Sequence, residues 1–168
     1  MRNVSDQIGV LSTLMNGIVL KANLIKLGFE AEVFSHFYGM SSYYSYEAAQ
    51  TAYNNDKWVI LTTGLGQVGY ISTDLSSVIK SLELQVKAML KVTKVVGVYD
   101  KDPVNLDAKL IEHAQYKEVL ENKLNVLDLS ALEIASENNL SIGVCNIENF
   151  ANFINKKGLG SVIGKDWR

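Results

Sequence analysis

Cysteine occurs once, at Cys145, which excludes an internal disulfide and fits a reducing compartment. Histidine occurs twice, at His36 and His113, with no metal-ligand spacing, so no metal site is expected. Neither sign of charge dominates: 16 Lys and Arg face 18 Asp and Glu, a net charge of −2 and a pI of about 5.7. That balance gives no global basic field for nucleic acid or anionic lipid. The opening "MRNVSDQ" has no apolar signal region, and no stretch reads as the roughly 18 consecutive apolar residues of a membrane span. Proline occurs once, at Pro103, and there is no repeat, low-complexity segment or linker. What is present is apolar: 48% of residues are hydrophobic and 20% charged, enough for a substantial core. The expectation is a soluble, cytoplasmic chain whose residues 1–168 form one domain or a large piece of one.

Helical and strand-like segments alternate along the chain. In residues 5–29, Ile8, Leu11, Met15, Ile18, Ala22 and Ile25 form a helical stripe, entered through Ser5 as N-cap and closed by Gly28. "EAEVFSHF" alternates like a strand, residues 38–46 are a Tyr/Ser-rich loop, and "YEAAQTAYNND" reads as a short helix. "WVILTT" is a continuous apolar run, the mark of a strand buried on both faces. "STDLSSVIKSLELQVKAM" has helical spacing behind Ser72 or Thr73 as N-cap. "MLKVT" and "LSIGVCN" read as strands, while "YKEVLENKL", "DLSALEIASENN" and "IENFANFINKKG" read as helices. The pattern predicts an α/β fold, a largely parallel sheet sandwiched by helices.

In such sheets ligands bind beyond the carboxyl ends of the strands, and two strand ends carry unusual chemistry. "TTGLGQVGYISTD" runs from a strand through three glycines to a capped helix. Glycines allow close backbone approach, helix-start N–H groups attract anions, and Ser72, Thr73 and Asp74 add hydroxyls and a carboxylate. An ordinary strand-to-helix turn accounts for the same residues, and the spacing is neither a Walker A nor a GxGxxG motif. The second is "KVTKVVGVYDKDP": Thr93 ends a strand, Tyr99 can stack on a flat ring, and Asp102 can accept from hydroxyls or an amine. Asp-Pro and Gly are turn residues as well. Asp6, by default, complements a helix dipole. Cys145 reads as a small buried hydrophobe, and Asp128 as the N-cap of a following helix. The tyrosines of 38–46 are loop packing or a subunit contact.

Taken in order, "DQIGVLSTLMNG", "WVILTTGLGQVGYISTD", "LKVTKVVGVYDKDP" and "YKEVLENKLNVLDLSALEIASENNLSIGVCN" closely resemble bacterial-type UMP kinases of the amino-acid kinase fold. The resemblance runs from Arg2 to the C-terminus. It implies transfer of the ATP γ-phosphate to UMP, with Mg²⁺ carried on the nucleotide, in a cytoplasmic homo-oligomer, the family's hexamer. By resemblance, UMP falls to Asp6, Gly64, Leu65, Gly66, Ser72 and Thr73, and ATP to Thr93, Tyr99 and Asp102. Asp74 then organises charge around the transferring phosphoryl group.

The departures are specific. "GLGQVGYISTD" is one residue longer than the family's loop, Leu65 stands at its phosphate-binding hydroxyl, Val96 replaces an acid, and Ser5 a Gly or Ala. No Lys-x-Ser-Gly strand end and no Gly-rich loop with an arginine is present, so the resemblance implies a chain lacking the family's N-terminal third. A catalytically inactive nucleotide-binding or assembly remnant is therefore the alternative reading. A relative acting on a carboxylate or carbamate is a third, against which the Asp6 helix argues.

Overall fold

The computed structural model describes residues 2–66 and 71–167. The chain divides into two compact units, Met1–Ser76 and Ser77–Arg168. In the first, α1 (Arg2–Lys26), β1 (Ala31–Ser35), β2 (Ser42–Tyr43), α2 (Tyr46–Asn54) and β3 (Trp58–Leu61) follow one another. The strands lie in the order β2-β1-β3, all parallel, with Ala31 opposite Trp58 and Phe34 opposite Leu61.

Helix α1 ends as its sequence demands. Gly28 takes φ +87, its N–H reaches the carbonyl of Ile25, and the Phe29 N–H reaches that of Leu24. That is a Schellman close, which a residue bearing a Cβ adopts only under strain. The helix start differs from expectation, because α1 begins at Arg2 and Ser5 lies inside it rather than capping it. The packing face differs too. Leu14 is buried against Ala31, Val33 and Ile60, with Ile18 and Leu24 beside it. A Cβ on Gly17 would stand 2.5 Å from Thr62 Cγ2, so the helix meets the sheet through its smallest residue. Of the predicted stripe, Ile8, Leu11, Met15 and Ile25 are exposed. The helix is apolar on most sides, so spacing alone selected its bulky face, whereas close contact selected the side with Gly17.

The segment Val4–Lys26 is also long and apolar enough to cross a membrane by length and composition, contrary to the sequence reading. Gly, Ser and Thr interrupt the apolar run by eye, yet they cost little on a hydropathy scale. The side of α1 carrying Leu14 nonetheless covers the sheet. The strand β3 likewise departs from a doubly buried strand. It is last in its sheet, Trp58 is exposed, and Ile60 alone of its four residues is buried.

In the second unit β4 (Ala88–Thr93), β5 (Val98–Tyr99), β6 (Leu110–Ile111), β7 (His113–Ala114), α4 (Tyr116–Glu121), α5 (Leu129–Glu137), β8 (Ser141–Asn146), α6 (Phe150–Ile154) and β9 (Ser161–Ile163) follow α3 (Thr73–Glu83), within which the boundary falls. The sheet order is β4-β8-β9-β7, and β4 pairs with β8 in parallel over six residues. β7 and β9 are parallel, β8 and β9 antiparallel, and β5 with β6 forms a separate antiparallel pair. Most pairings are thus parallel, as an α/β fold requires, with antiparallel additions that the sequence pattern did not announce. Asp128 caps α5, accepting from the Ala131 N–H at 2.9 Å. Tyr116 donates its buried hydroxyl to the Leu140 carbonyl, and burial pushes its phenol pKa up. Around β8, Cys145, Phe153 and Val162 form a core with Leu90 and Trp167 against it.

Candidate functional site

The chemistry of the first unit gathers where β3 leaves the sheet. Thr62 is fixed by its hydroxyl and its N–H, which both donate to the Phe34 carbonyl, at 2.9 and 3.0 Å. The next residue, Thr63, is 1% exposed and takes φ +64, a conformation that strains a β-branched residue. Three contacts hold it there. Its N–H donates to Thr13 Oγ1 of α1 at 2.9 Å. Its Oγ1 accepts the His36 N–H at 3.0 Å and lies 3.2 Å from His36 Nδ1.

From this anchor the chain turns at once. Gly64 and Gly66 have φ +56 and +102, and the Gly66 N–H closes back onto the Thr63 carbonyl at 3.0 Å. A Cβ on Gly64 would come within 3.1 Å of Ser76 Oγ, and one on Gly66 would lie 3.5 Å from the His36 ring. Both glycines therefore answer to backbone conformation first, Gly64 half-buried and Gly66 buried at the strand's carboxyl end. Leu65, between them, is half-buried. The rest of the loop, including Gly69 and Tyr70, lies outside the described residues.

Helix α3 starts beyond it. Ser72 Oγ accepts the Leu75 N–H at 3.0 Å, making Ser72 the cap, and Ser76 Oγ donates to the Ser72 carbonyl at 2.8 Å. Thr73 is exposed and Asp74 half-buried on the first turn. Asp6 sits half-buried in the second turn of α1, with its Oδ2 screened from solvent.

In the second unit Thr93 closes β4, paired with Asn146 of β8. Tyr99 is half-buried in β5 opposite Leu110. Asp102 is exposed and uses Oδ1 to accept the Val104 N–H at 3.0 Å, while its carbonyl accepts from Asn105 at 2.9 Å. The Asp-Pro segment is thus a built turn, with one carboxylate oxygen engaged inside it. Lys91 donates to the Val126 carbonyl at 2.8 Å. Among the described residues no three His, Cys, Asp or Glu side chains gather as metal ligands.

At the amino end of the first sheet, Glu32 accepts from Ser42 at 2.5 Å and pairs with Lys57 at 3.2 Å. The Ser42 hydroxyl first, and Lys57 after it, hold this carboxyl below its ordinary range. It borders a groove of about 390 Å³ with Lys21, Ile18 and Ile25. Its one carboxylate is committed, and the glycine turn lies at the other end of the strands.

Sequence reasoning offered Ser72 or Thr73 as the cap, of which the structure uses Ser72, but gave no role to Thr13, His36 or Thr63. Their only signal was position, since His36 follows the last residue of one strand and Thr63 lies just beyond another, where α/β sheets carry their ligands.

The parallel strands of the first unit end in a glycine turn at their carboxyl edge, the place where α/β sheets carry their ligands. The chain belongs to the amino acid kinase family, whose profile matches residues 2–146. It is 37% identical over 149 residues to the uridylate kinase of Serratia proteamaculans, covering 87% of this chain and 61% of that one. The uridylate kinase of Haemophilus influenzae Rd is 35% identical over 149 residues, with 62% of its length covered. The chain therefore spans about three fifths of the length of these curated relatives. Among solved structures, the UMP kinase of Ureaplasma parvum superposes with a TM-score of 0.91 at 28% identity, over 98% of this chain and 73% of that one. The UMP kinase of Bacillus anthracis gives 0.91 at 27%, over 98% of this chain and 70% of that one.

Proposed function

We propose that this chain is the nucleotide-holding portion of a UMP kinase, which moves the γ-phosphoryl group of ATP onto UMP. The carrying observation is the strained turn at residues 63–66, where two glycines with positive φ follow the strand end ahead of the capped start of α3. Relatives named uridylate kinase support the choice of UMP. In this reading Asp6 accepts from the ribose hydroxyls, and Gly64, Leu65, Gly66, Ser72 and Thr73 hold the monophosphate end. Thr93, Tyr99 and Asp102 hold the adenine nucleotide, which brings Mg²⁺ with it as part of the substrate. Asp74 orders charge at the reacting phosphoryl group; transfer needs positioning and charge stabilisation more than covalent help.

Calorimetry with UMP and its 2′-deoxy analogue tests the first half. A site built to bond a hydroxyl leaves its own polar group unpaired when that hydroxyl is missing. The intact chain is expected to prefer UMP, and Asp6→Ala to erase the preference. Equal affinity for the two ligands in the unmutated chain removes Asp6 from the ribose.

ATP titrations test the second half. Tyr99→Ala is expected to weaken ATP binding by removing the ring beside the base, while UMP binding holds. Asp102→Ala is expected to weaken it as well, by loosening the turn that Asp102 closes onto Val104. Unchanged ATP affinity in both variants makes this segment a turn and nothing more.

A further inference from the structure

We infer that His36 is a positioning residue for the glycine loop, acting through Thr63 to hold residues 63–66 in the shape that accepts a nucleotide phosphate. The inference deepens the UMP kinase reading and rests on it for the identity of the ligand. Thr63 occupies a left-handed conformation that a buried, β-branched residue does not choose for itself. Such a state persists where its surroundings over-determine it. Here the surroundings are few and identifiable. Thr13 takes the Thr63 N–H, and His36 takes the hydroxyl twice, through its main-chain N–H and through Nδ1.

The same imidazole controls the far side of the turn. Its Cγ and Cδ2 stand 3.5 and 3.6 Å from where a Cβ on Gly66 would be, so the ring forms the wall against which the second glycine lies. One side chain therefore bonds to one end of the four-residue turn and occupies the space beside the other. The ring itself is set by aromatic neighbours, Tyr44 at 5.5 Å between centroids and Tyr43 edge-on at 6.2 Å. Tyr43 in turn is stacked on Tyr38 at 4.5 Å. The Tyr-rich loop of residues 38–46 thus has a task inside its own unit. It braces His36, and His36 braces the loop.

The ring contacts are replaceable in part. An asparagine at position 36 keeps a polar atom near the place of Nδ1, whereas alanine keeps only the main-chain bond. The test compares the 168-residue chain with His36→Ala, His36→Asn, Thr63→Val and the double variant His36→Ala/Thr63→Val. UMP affinity is read by calorimetry, and amide hydrogen exchange of Gly64 and Gly66 without ligand. His36→Ala is expected to weaken UMP binding about tenfold and to speed exchange at Gly66, with ATP affinity unmoved. His36→Asn should restore most of both. Thr63→Val, which also removes the acceptor of the His36 N–H, should cost at least as much as His36→Ala, and the double variant should cost less than the sum of the two, because the two residues share their contacts.

Parent-like UMP affinity and exchange in His36→Ala overturn the inference, as do additive losses in the double variant. A loss of ATP affinity equal to that of UMP also overturns it, since the histidine would then be supporting the fold at large. If the parent chain fails to bind UMP, the UMP kinase reading falls. The exchange rates at Gly64 and Gly66 then still decide whether His36 holds the turn.

Discussion

Purified residues 1–168, given ATP, Mg²⁺ and UMP, are expected to release no ADP above background in a coupled assay. Charge moves across the γ-phosphate during transfer, and removing one preorganised cationic or donor group from such a site costs on the order of 10³-fold. The 168 residues contain no Lys-x-Ser-Gly turn and no Gly-rich loop with an arginine. Lys91, the nearest base to Thr93 on β4, already donates to the Val126 carbonyl. Asp74 brings negative charge only. Joining the N-terminal third of a full-length relative to this chain is expected to restore measurable turnover, and Asp74→Asn to abolish it again. Steady UMP-dependent turnover by 1–168 itself, following the protein through every column, would sink this expectation and with it the need for those missing cations.

The largest effect on stability is expected from Phe153→Ala. Phe153 is 1% exposed in the core with Cys145 and Val162, and Trp167 meets it edge-on at 6.5 Å. On one side its neighbour is glycine, where a Cβ on Gly143 would stand 2.9 Å from Phe153 Cε1. No side chain on that side can swing inward, so part of the cavity stays open. Truncation of a buried aromatic residue then costs about 3–5 kcal/mol. At about 2–4 °C per kcal/mol for a chain of this size, the melting temperature should fall by roughly 6–20 °C. A fall under about 2 °C would mean that α6 does not bind this core in solution.

These two cases mark how far the sequence was legible. Apolar runs such as "LSIGVCN" declared their strands because burial on both faces leaves no room for polar alternation. Caps were legible for the same local reason, since Ser72 and Asp128 each stand three residues ahead of the N–H they satisfy. The packing face of α1 was not legible. A helix apolar on most sides offers several stripes, and the choice was made by the approach of Gly17 to Thr62, residues far apart in the chain. The two-residue strands β2, β5, β6 and β7 carry no periodicity to read. Within the site the glycines and Asp74 were visible as residue types at a strand end. The support beneath them was not, because Thr13, His36 and Thr63 meet only after α1, β1 and β3 have come together.

The six-residue pairing of β4 with β8 has a consequence in time. Ala88 lies opposite Ser141, 53 positions later in the chain. At about 5–20 residues added per second, β4 leaves the ribosome roughly 3–10 seconds before its partner does. Through that interval its apolar residues, Met89 and Leu90 among them, have no β8 to cover them. A nascent chain with β4 outside the ribosome and β8 still inside or unmade is therefore the form of this protein with most to gain from a chaperone.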